Sequence, residues 1–233
     1  MDITVYKPPF VQYYDGVGGM SRIPTQAKAK VRYEVVDLRT NAVAKVVESE
    51  DPLLTNWMAL VGSMLSAGKL ITVTNTGGTV MSVRVRHLTN LTEPIPILDI
   101  LAGAGDDSYG IVLSSSAGTK SMARYNVASK IAHQAGVFEY KAMEDLGCVA
   151  EAVMIKCSYR RAFDNLGATT VNVAESGVIA ILRAEGEVPG TIVVTSLLIL
   201  LDIPDTPVSV ASLQRLVVTV DIFVPVPSGW TIS

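Results

Sequence analysis

The fold is decided by residues 153–201, the most strongly patterned part of the chain. They read VMIKCSYRRAFDNLGATTVNVAESGVIAIL, then the polar break RAEGEVPG at 183–190, and then TIVVTSLLILL. Gly and Pro in the break favour a turn, because they adopt or impose backbone geometries that interrupt a strand. We therefore predict three consecutive strands, over 153–163, 169–182 and 191–201.

The first of these strands alternates between apolar and polar side chains. Tyr159 and Phe163 share one parity, whereas Lys156, Ser158 and Arg160 fall on the other. A period of two is typical of a strand with one buried face. The third strand is apolar on both faces, which is typical of a strand in the middle of a sandwich.

Two hairpins are predicted upstream. Residues 28–47 contain two apolar runs around a short polar turn, and residues 70–85 contain two more around the sequence Asn-Thr-Gly-Gly. Short turns of this composition are strong hairpin signals. These patterns predict antiparallel pairing of neighbouring segments.

Further strands follow the same rules. We predict a strand over 137–143, a turn at 144–147, and a closing strand over 216–221. Pro225 and Pro227 follow the closing strand. Because proline lacks the N–H group that a sheet interior uses, they place this strand at a sheet edge or at the domain boundary.

One helix is predicted, over 51–67. Asp51 can cap its first turn, Pro52 suits the first helical position, and Gly68 ends it. Seven large apolar residues between these limits recur at helical spacing. Trp57 is among them, and we predict that it plugs the core rather than forming a platform for a ligand.

The chain is therefore predicted to be mainly β. We expect an antiparallel β-sandwich or jelly-roll-like fold with about ten strands and one amphipathic helix at 51–67. The domain organisation is an extended N-terminal arm at 1–26, a single β-sandwich domain at 27–227 and a short C-terminal tail at 228–233.

Composition narrows the class of protein. The chain has 233 residues, of which 49% are hydrophobic and 18% charged, a formal net charge of −3, and a mean hydropathy of +0.38. Such hydropathy is explained either by a large core or by apolar surface that is buried against copies of the chain. The net charge argues against nucleic-acid binding. The N-terminus shows no signal peptide and the longest apolar stretch is too short for a membrane span, so we expect synthesis in a cytoplasm.

The N-terminal arm is unusually aromatic for a linker. Phe10, Val11, Tyr13 and Tyr14 lie close together in it, and a segment of this kind is more typical of a chain that lies on a surface than of a disordered tail. That surface is either the chain's own domain or a neighbouring subunit. These four residues are our candidate assembly interface.

Two cysteines, Cys148 and Cys157, fit no zinc motif. In a cytoplasm we expect two buried thiols, although a disulfide remains an alternative if strands cover both positions. No catalytic, metal or cofactor site is predicted. Three acids, Glu139, Glu151 and Glu175, lie on candidate strands, but no spacing pairs them as a glycosidase would require.

Glu175 is predicted to have a structural role together with Gly177. A carboxylate in an apolar strand is costly if it is buried without donors. It therefore accepts backbone N–H groups or meets Arg160 or Arg161 across the hairpin, where cross-strand partners lie close. We expect a satisfied carboxylate that fixes a bulge at Gly177, rather than a catalytic acid.

The order of motifs resembles a known group of proteins. The segments that carry the resemblance are RRAFDNLGATTVNVAESGVIAI, SLLILLDIPDTPVSV and LQRLVVTVDIFV, preceded by DPLLTNWMALVGSML, TVTNTGGTV and LAGAGDDSYGIVLSS. Together they resemble β-rich virion structural proteins of tailed phages, prophages and viruses of thermophiles. The resemblance covers about residues 30–224, with Glu175 and Gly177 where the pattern has its Glu and Gly. The pattern's arginine beside Asp202 is missing.

The resemblance implies a viral structural protein that assembles with copies of itself and with other virion proteins into a capsid, decoration, tail or fibre component. It implies localisation in a virion made in the host cytoplasm, and it transfers no catalytic residue. The alternative is a carbohydrate- or receptor-binding β-sandwich module. Exposed aromatic side chains would build its site, and the candidates are Tyr13, Tyr14, Tyr109 and Trp230.

Overall fold

The computed structural model describes residues 13–14, 20–21, 28–49, 56–57, 59–60, 63, 70–85, 98–121, 123–151 and 154–225. These residues are mainly β, with antiparallel pairing throughout the sheets, as predicted. They form fifteen strands, three of which have only two residues: β1 Tyr13–Tyr14, β2 Met20–Ser21, β3 Lys28–Asp37, β4 Val43–Ser49, β5 Ile71–Thr74, β6 Val80–Arg84, β7 Leu98–Asp99, β8 Gly110–Ser114, β9 Phe138–Glu151, β10 Met154–Asn165, β11 Val171–Val173, β12 Glu175–Gly186, β13 Ile192–Asp202, β14 Val208–Val210 and β15 Gln214–Pro225.

Five long strands form the first sheet, in the order β4-β3-β15-β10-β9. The predicted edge position of the closing strand is wrong, because β15 lies in the middle of this sheet between β3 and β10. Pro225 is tolerated since it is the last residue of β15, where it pairs with Met154, the first residue of β10. A proline at the end of a strand removes no N–H group from the sheet interior.

The second sheet is organised around β12. Its order is β13-β12-β6-β5. β13 pairs with one side of β12, and β8, β7 and β6 pair with the other side, in this order from the start of β12 to its end. A small separate sheet joins β11 and β14. The predicted strand over 169–182 is thus two strands, β11 and β12, separated by Ala174.

One apolar core is built from both sheets. Val31 and Val218 of the first sheet and Leu182 and Leu197 of the second belong to the same buried cluster. The sheets are also joined by hydrogen bonds, because the Tyr33 hydroxyl contacts the carboxylate of Asp202 and the hydroxyl of Ser176. The two sheets therefore pack against each other through apolar side chains and a buried polar contact.

A second apolar cluster covers the opposite face of the second sheet. It contains Val112, Ile179, Leu198 and Leu201 together with Val127 from the segment after β8. The prediction that the third strand is buried on both faces is confirmed for Leu197–Leu201 of β13, whereas Ile192 and Val194 at the start of the strand are exposed. The physical reason is that the chain folds back over the sheet at Val127, so that β13 has a core on each side.

The structure describes only five residues of the helix predicted over 51–67, so a helix of that length is not seen. Residues 57, 59, 60 and 63 have helical geometry, and the Leu60 N–H group donates to the Asn56 carbonyl at 3.1 Å. The other positions of the predicted helix, apart from residue 56, lie outside the described residues. Trp57 is half-buried and packs against the main core, and its role as a core plug stays a prediction.

The hairpins predicted at 28–47 and 70–85 are confirmed as β3–β4 and β5–β6. The turn predicted at 144–147 is wrong, because β9 continues through it. The strand bulges there: Tyr159 pairs with Asp145 and Ser158 with Gly147, which leaves Leu146 as the extra residue. Gly147 has a φ of 85°, so it supplies the left-handed residue that a bulge of this kind requires.

The expectation of two free thiols is also wrong, because Cys148 and Cys157 form a disulfide. The two residues are directly opposite each other on β9 and β10. Cross-strand neighbours bring their Cβ atoms close enough to be bridged. The predicted turn at 144–147 concealed this geometry, because it made Cys148 the first residue of the strand that also carries Cys157, and residues of one strand do not lie opposite each other.

Candidate functional site

The predicted assembly residues lie in the N-terminal arm. Phe10 and Val11 fall outside the described residues. Tyr13 and Tyr14 form β1, which pairs antiparallel with β2 through the contact of Tyr13 with Ser21. The C-terminal residues 228–233, including Trp230, also lie outside the described part. The structure therefore describes only two of the four candidate residues, and the assembly interface stays a prediction.

Exposed apolar side chains occur at both edges of the first sheet, and others, among them Val80, Ile192 and Val194, lie on the second sheet. On β4, Val43 and Val46 are exposed, the latter to 44%. On β9, Leu146 and Val149 are exposed. Because β4 and β9 are the outermost strands of the sheet among the described residues, each presents backbone N–H and C=O groups that another strand can pair with.

The C-terminal half of β9 is exposed to solvent on both faces. Every residue from 144 to 150 is exposed, and the facing residues 154–160 of β10 are only half-buried. The Cys148–Cys157 disulfide ties these two strands together in this region. This part of the hairpin is therefore held by its own ladder and one covalent bond, and only β10 meets the main core there, through half-buried Tyr159.

Glu175 is fully buried at the start of β12. One carboxylate oxygen, Oε1, accepts the Ala128 N–H group at 2.7 Å and an N–H group of Arg124 at 2.8 Å, and Oε2 accepts the Gly118 N–H group at 2.9 Å. The cation partner is Arg124, not Arg160 or Arg161. The carboxylate thereby holds the covering segment, residues 118–128, against the second sheet.

Gly177 lies two residues further along β12. A Cβ atom there would approach Leu198 Cδ1 and Val127 Cγ1 to 2.8 Å each, closer than carbon atoms pack. The register between β12 and β13 shifts one residue later, between Val178 and Ile179. Gly177 thus allows the covering segment and β13 to approach β12 closely at the point where Glu175 fixes that segment.

Arg161 is a buried charge that we did not predict, although its parity on β10 indicates a buried position. It lies on β10, is 0% exposed, and donates all of its N–H groups to backbone carbonyls. Nε contacts Lys141 at 2.8 Å, one terminal nitrogen contacts Tyr109 and Ile111, and the other contacts Gly103 and Asp106. The guanidinium also lies 4.8 Å from the centre of the Tyr140 ring. It therefore fixes the loop that joins β7 to β8.

Charged side chains also form a cluster at Asp164 on β10. The Asp164 carboxylate is nearly buried, and it accepts Arg215 Nε at 2.6 Å and lies 3.1 Å from Lys141 Nζ. Burial alone would raise the pKa of Asp164, but the hydrogen bonds and charges of Arg215 and Lys141 outweigh it and lower the pKa below 3.8. The ionised form is thus favoured by folding.

This cluster predicts a loss of stability in acid. Because the folded-state pKa of Asp164 lies below the unfolded value, its contribution is present above about pH 4 and disappears as the pH falls through the folded pKa. We expect Asp164→Asn to lower the free energy of unfolding by about 1 kcal/mol at pH 7, since its partners are partly exposed. Urea titrations at pH 7 and pH 2 measure this difference.

The matched control for that prediction is Asp205→Asn, in an exposed loop, which should change stability little at either pH. A difference between wild type and Asp164→Asn that is as large at pH 2 as at pH 7 would contradict the proposed linkage.

The acids considered for catalysis are not brought together. Glu139 on β9 binds Lys141 at 2.6 Å, whereas Glu175 is enclosed at the covering segment. Within the described residues, no three His, Cys, Asp or Glu side chains converge to hold a metal ion. Tyr109, a candidate for ligand binding, packs against the second apolar cluster.

The described part of the chain contains no helix that is long and apolar enough to cross a membrane. The described residues include several buried charges, among them Arg161, Glu175 and Asp202, and exposed apolar side chains on both edges of the first sheet. Comparison of the chain with protein-family models, with curated proteins and with solved structures finds no match.

Proposed function

We propose that this chain is a viral structural protein, a non-enzymatic subunit that assembles with copies of itself into a virion component of the capsid, decoration, tail or fibre type. Its two sheets are taken to form a β-sandwich, because they share one core and are joined through Tyr33 and Asp202. The observation that carries the proposal is the pair of apolar edges on the first sheet.

The β4 edge is the stronger assembly surface. Natural edge strands are usually protected by proline, by bulges or by several charges. β4 has no proline, and its sequence VAKVVES carries exposed Val43 and Val46 with only Lys45 and Glu48 as charges. The β9 edge is better protected, since it contains the Leu146 bulge and four acids. We therefore place the principal contact between copies at β4.

The disulfide is consistent with a particle that leaves the cell. Disulfides persist in oxidising surroundings and are rare in the cytosol of most organisms. A virion protein made in a cytoplasm meets oxidising conditions after release. The Cys148–Cys157 bond joins the exposed residues 144–150 of β9 to half-buried β10, where it is well placed to stabilise a subunit under those conditions.

Light scattering followed by negative-stain imaging tests the proposal. We expect the wild-type chain to form rings, shells or filaments that are much larger than the 24.8 kDa monomer. Val46→Lys should raise the dissociation constant by at least about tenfold, because it places like charges at the contact between copies. Val80→Lys is the control, since Val80 is also exposed but lies in the second sheet.

A monomer at micromolar concentration would contradict the assembly proposal and favour the carbohydrate- or receptor-binding alternative. If Val46→Lys assembles as well as the wild type, the chain is still an oligomer, but β4 is not the contact between its copies.

A further inference from the structure

The last residues of β9 depend on one neighbouring strand. Residues 148–151 pair with residues 154–157 of β10, and the described residues form no strand on their other side. All side chains from 144 to 150 are exposed. Because each ladder hydrogen bond adds little net stability, the order of residues 148–151 depends largely on the Cys148–Cys157 disulfide.

The first half of β9 is anchored in a different way. Phe138, Tyr140 and Met143 belong to the buried main core. The Tyr140 hydroxyl also donates to the Ile131 carbonyl at 2.6 Å. Since every side chain from 144 to 150 is exposed, the part of β9 that is anchored by burial ends at Met143.

The bulge of β9 separates these two parts. Leu146 is the extra residue, and Gly147 follows it with a φ of 85°. Glycine has no Cβ atom and therefore adopts a wider range of backbone angles than other residues, and a bulge interrupts the ladder where it occurs. Gly147 is thus the position at which the strand can bend while Met143 stays in the core.

The two cysteines differ in their access to solvent. Cys148 is exposed, whereas Cys157 is half-buried and lines an apolar cavity. A thiolate attacks a disulfide at a sulfur atom that it can reach. A thiolate of a dithiol reductant therefore bonds to Cys148 and expels Cys157 as a thiolate, which takes a proton from water.

The second thiol of the reductant completes the reaction. Its thiolate attacks the mixed disulfide at the reductant's own sulfur, and Cys148 leaves as a thiolate that also takes a proton. The reductant ends as a cyclic disulfide, so two electrons have passed from it to the two cysteines.

We propose that the Cys148–Cys157 disulfide is a redox switch for the end of β9: reduction by a dithiol releases residues 148–151 from β10 by a bend at Gly147, and reoxidation fixes them again. The rest of the fold is retained, because the core contacts of β9 end at Met143. Release leaves the facing N–H and C=O groups of β10 unpaired, so reduction exposes a new strand edge. This inference does not rest on the assembly proposal.

Hydrogen exchange of the full chain with and without dithiothreitol tests the switch. Reduction should speed the exchange of the most protected amides within 148–151 on the order of tenfold or more. Amides of residues 138–143 should change less than about twofold, because their side chains stay in the core. Alkylation of both cysteines, measured by mass spectrometry, shows that reduction is complete, and reoxidation should restore the original protection.

The double variant Cys148→Ser, Cys157→Ser is the matched control. It has no disulfide to lose, so it should exchange as fast as the reduced wild type whether or not dithiothreitol is present. Unchanged protection of residues 148–151 after complete reduction would overturn the proposal. Loss of protection throughout β9 and β10 would overturn it as well, because the disulfide would then hold the whole sheet rather than one segment.

Discussion

Replacing Arg161 with methionine is expected to lower the free energy of unfolding by about 4 kcal/mol, since a buried charged network that loses one member is among the most damaging changes to a fold. Methionine keeps the length and apolar stem of arginine but removes all five donors. The carbonyl groups of Gly103, Tyr109 and Ile111 then lose the donor that holds the β7–β8 loop in place.

Equilibrium unfolding in urea measures this effect, and the neighbouring residue provides the control. Arg160 lies on the opposite face of β10, where its 43% exposed side chain pairs with exposed Glu144. Arg160→Met should therefore cost less than about 1 kcal/mol. Arg161→Lys keeps the charge but supplies three donors instead of five, so we expect it to recover only part of the loss.

Hydrogen exchange adds a local readout for the same variants. In Arg161→Met we expect amide protection to fall first around residues 103–111, whose carbonyls Arg161 binds. If Arg161→Met and Arg160→Met unfold at the same urea concentration, the buried guanidinium does not fix the loop and its contacts are incidental.

The alternation of apolar and polar residues predicts most of the strands. It also indicates that Arg161 is buried, which we did not predict. Arg161 has the same parity as Tyr159 and Phe163, which alternation places on the buried face. The period of two thus predicts a buried arginine, although burial of a charge runs against the average preference of that residue. The burial of Arg161 is possible because its guanidinium donates to five backbone carbonyl groups rather than to a carboxylate. No short sequence motif indicates this arrangement.

The order of strands in the sheets could not be predicted from the sequence. Pro225 indicates only that β15 ends there, and the same residue is compatible with an edge or with the end of a central strand. The disulfide forms because β9 pairs with β10. We did not predict this pairing, because Gly147 led us to predict a turn where β9 continues with a bulge. Pairing partners are set by tertiary packing, so local composition identifies strands but not their neighbours.

The irregular segment after β8 was the least predictable part of the site. Arg124 and the Ala128 N–H group bind Glu175 from 51 and 47 residues away in sequence. The sequence indicated that Glu175 must have donors, because a buried carboxylate without them is too costly. It did not indicate which segment supplies them, since residues 117–136 show no helical or strand period.

Glu175→Gln is expected to lower the free energy of unfolding by about 3 kcal/mol. The glutamine has almost the same shape, but its amide presents one N–H₂ group to donors that need an acceptor, either Gly118 or Ala128 and Arg124. Arg124 also loses its counter-charge in a mostly buried position. Both effects release the covering segment, and urea unfolding with hydrogen exchange at residues 118–128 measures them.

The control for this change is Glu144→Gln, at a carboxylate that is 52% exposed and pairs with Arg160, where we expect a loss below about 1 kcal/mol. Combining Glu175→Gln with Arg124→Met should cost less than the sum of the two single changes, because each removes the same ion pair. Strictly additive losses, or unchanged protection of residues 118–128 in Glu175→Gln, would show that the carboxylate does not hold the covering segment. Glu175 would then need another explanation for its burial at the start of β12.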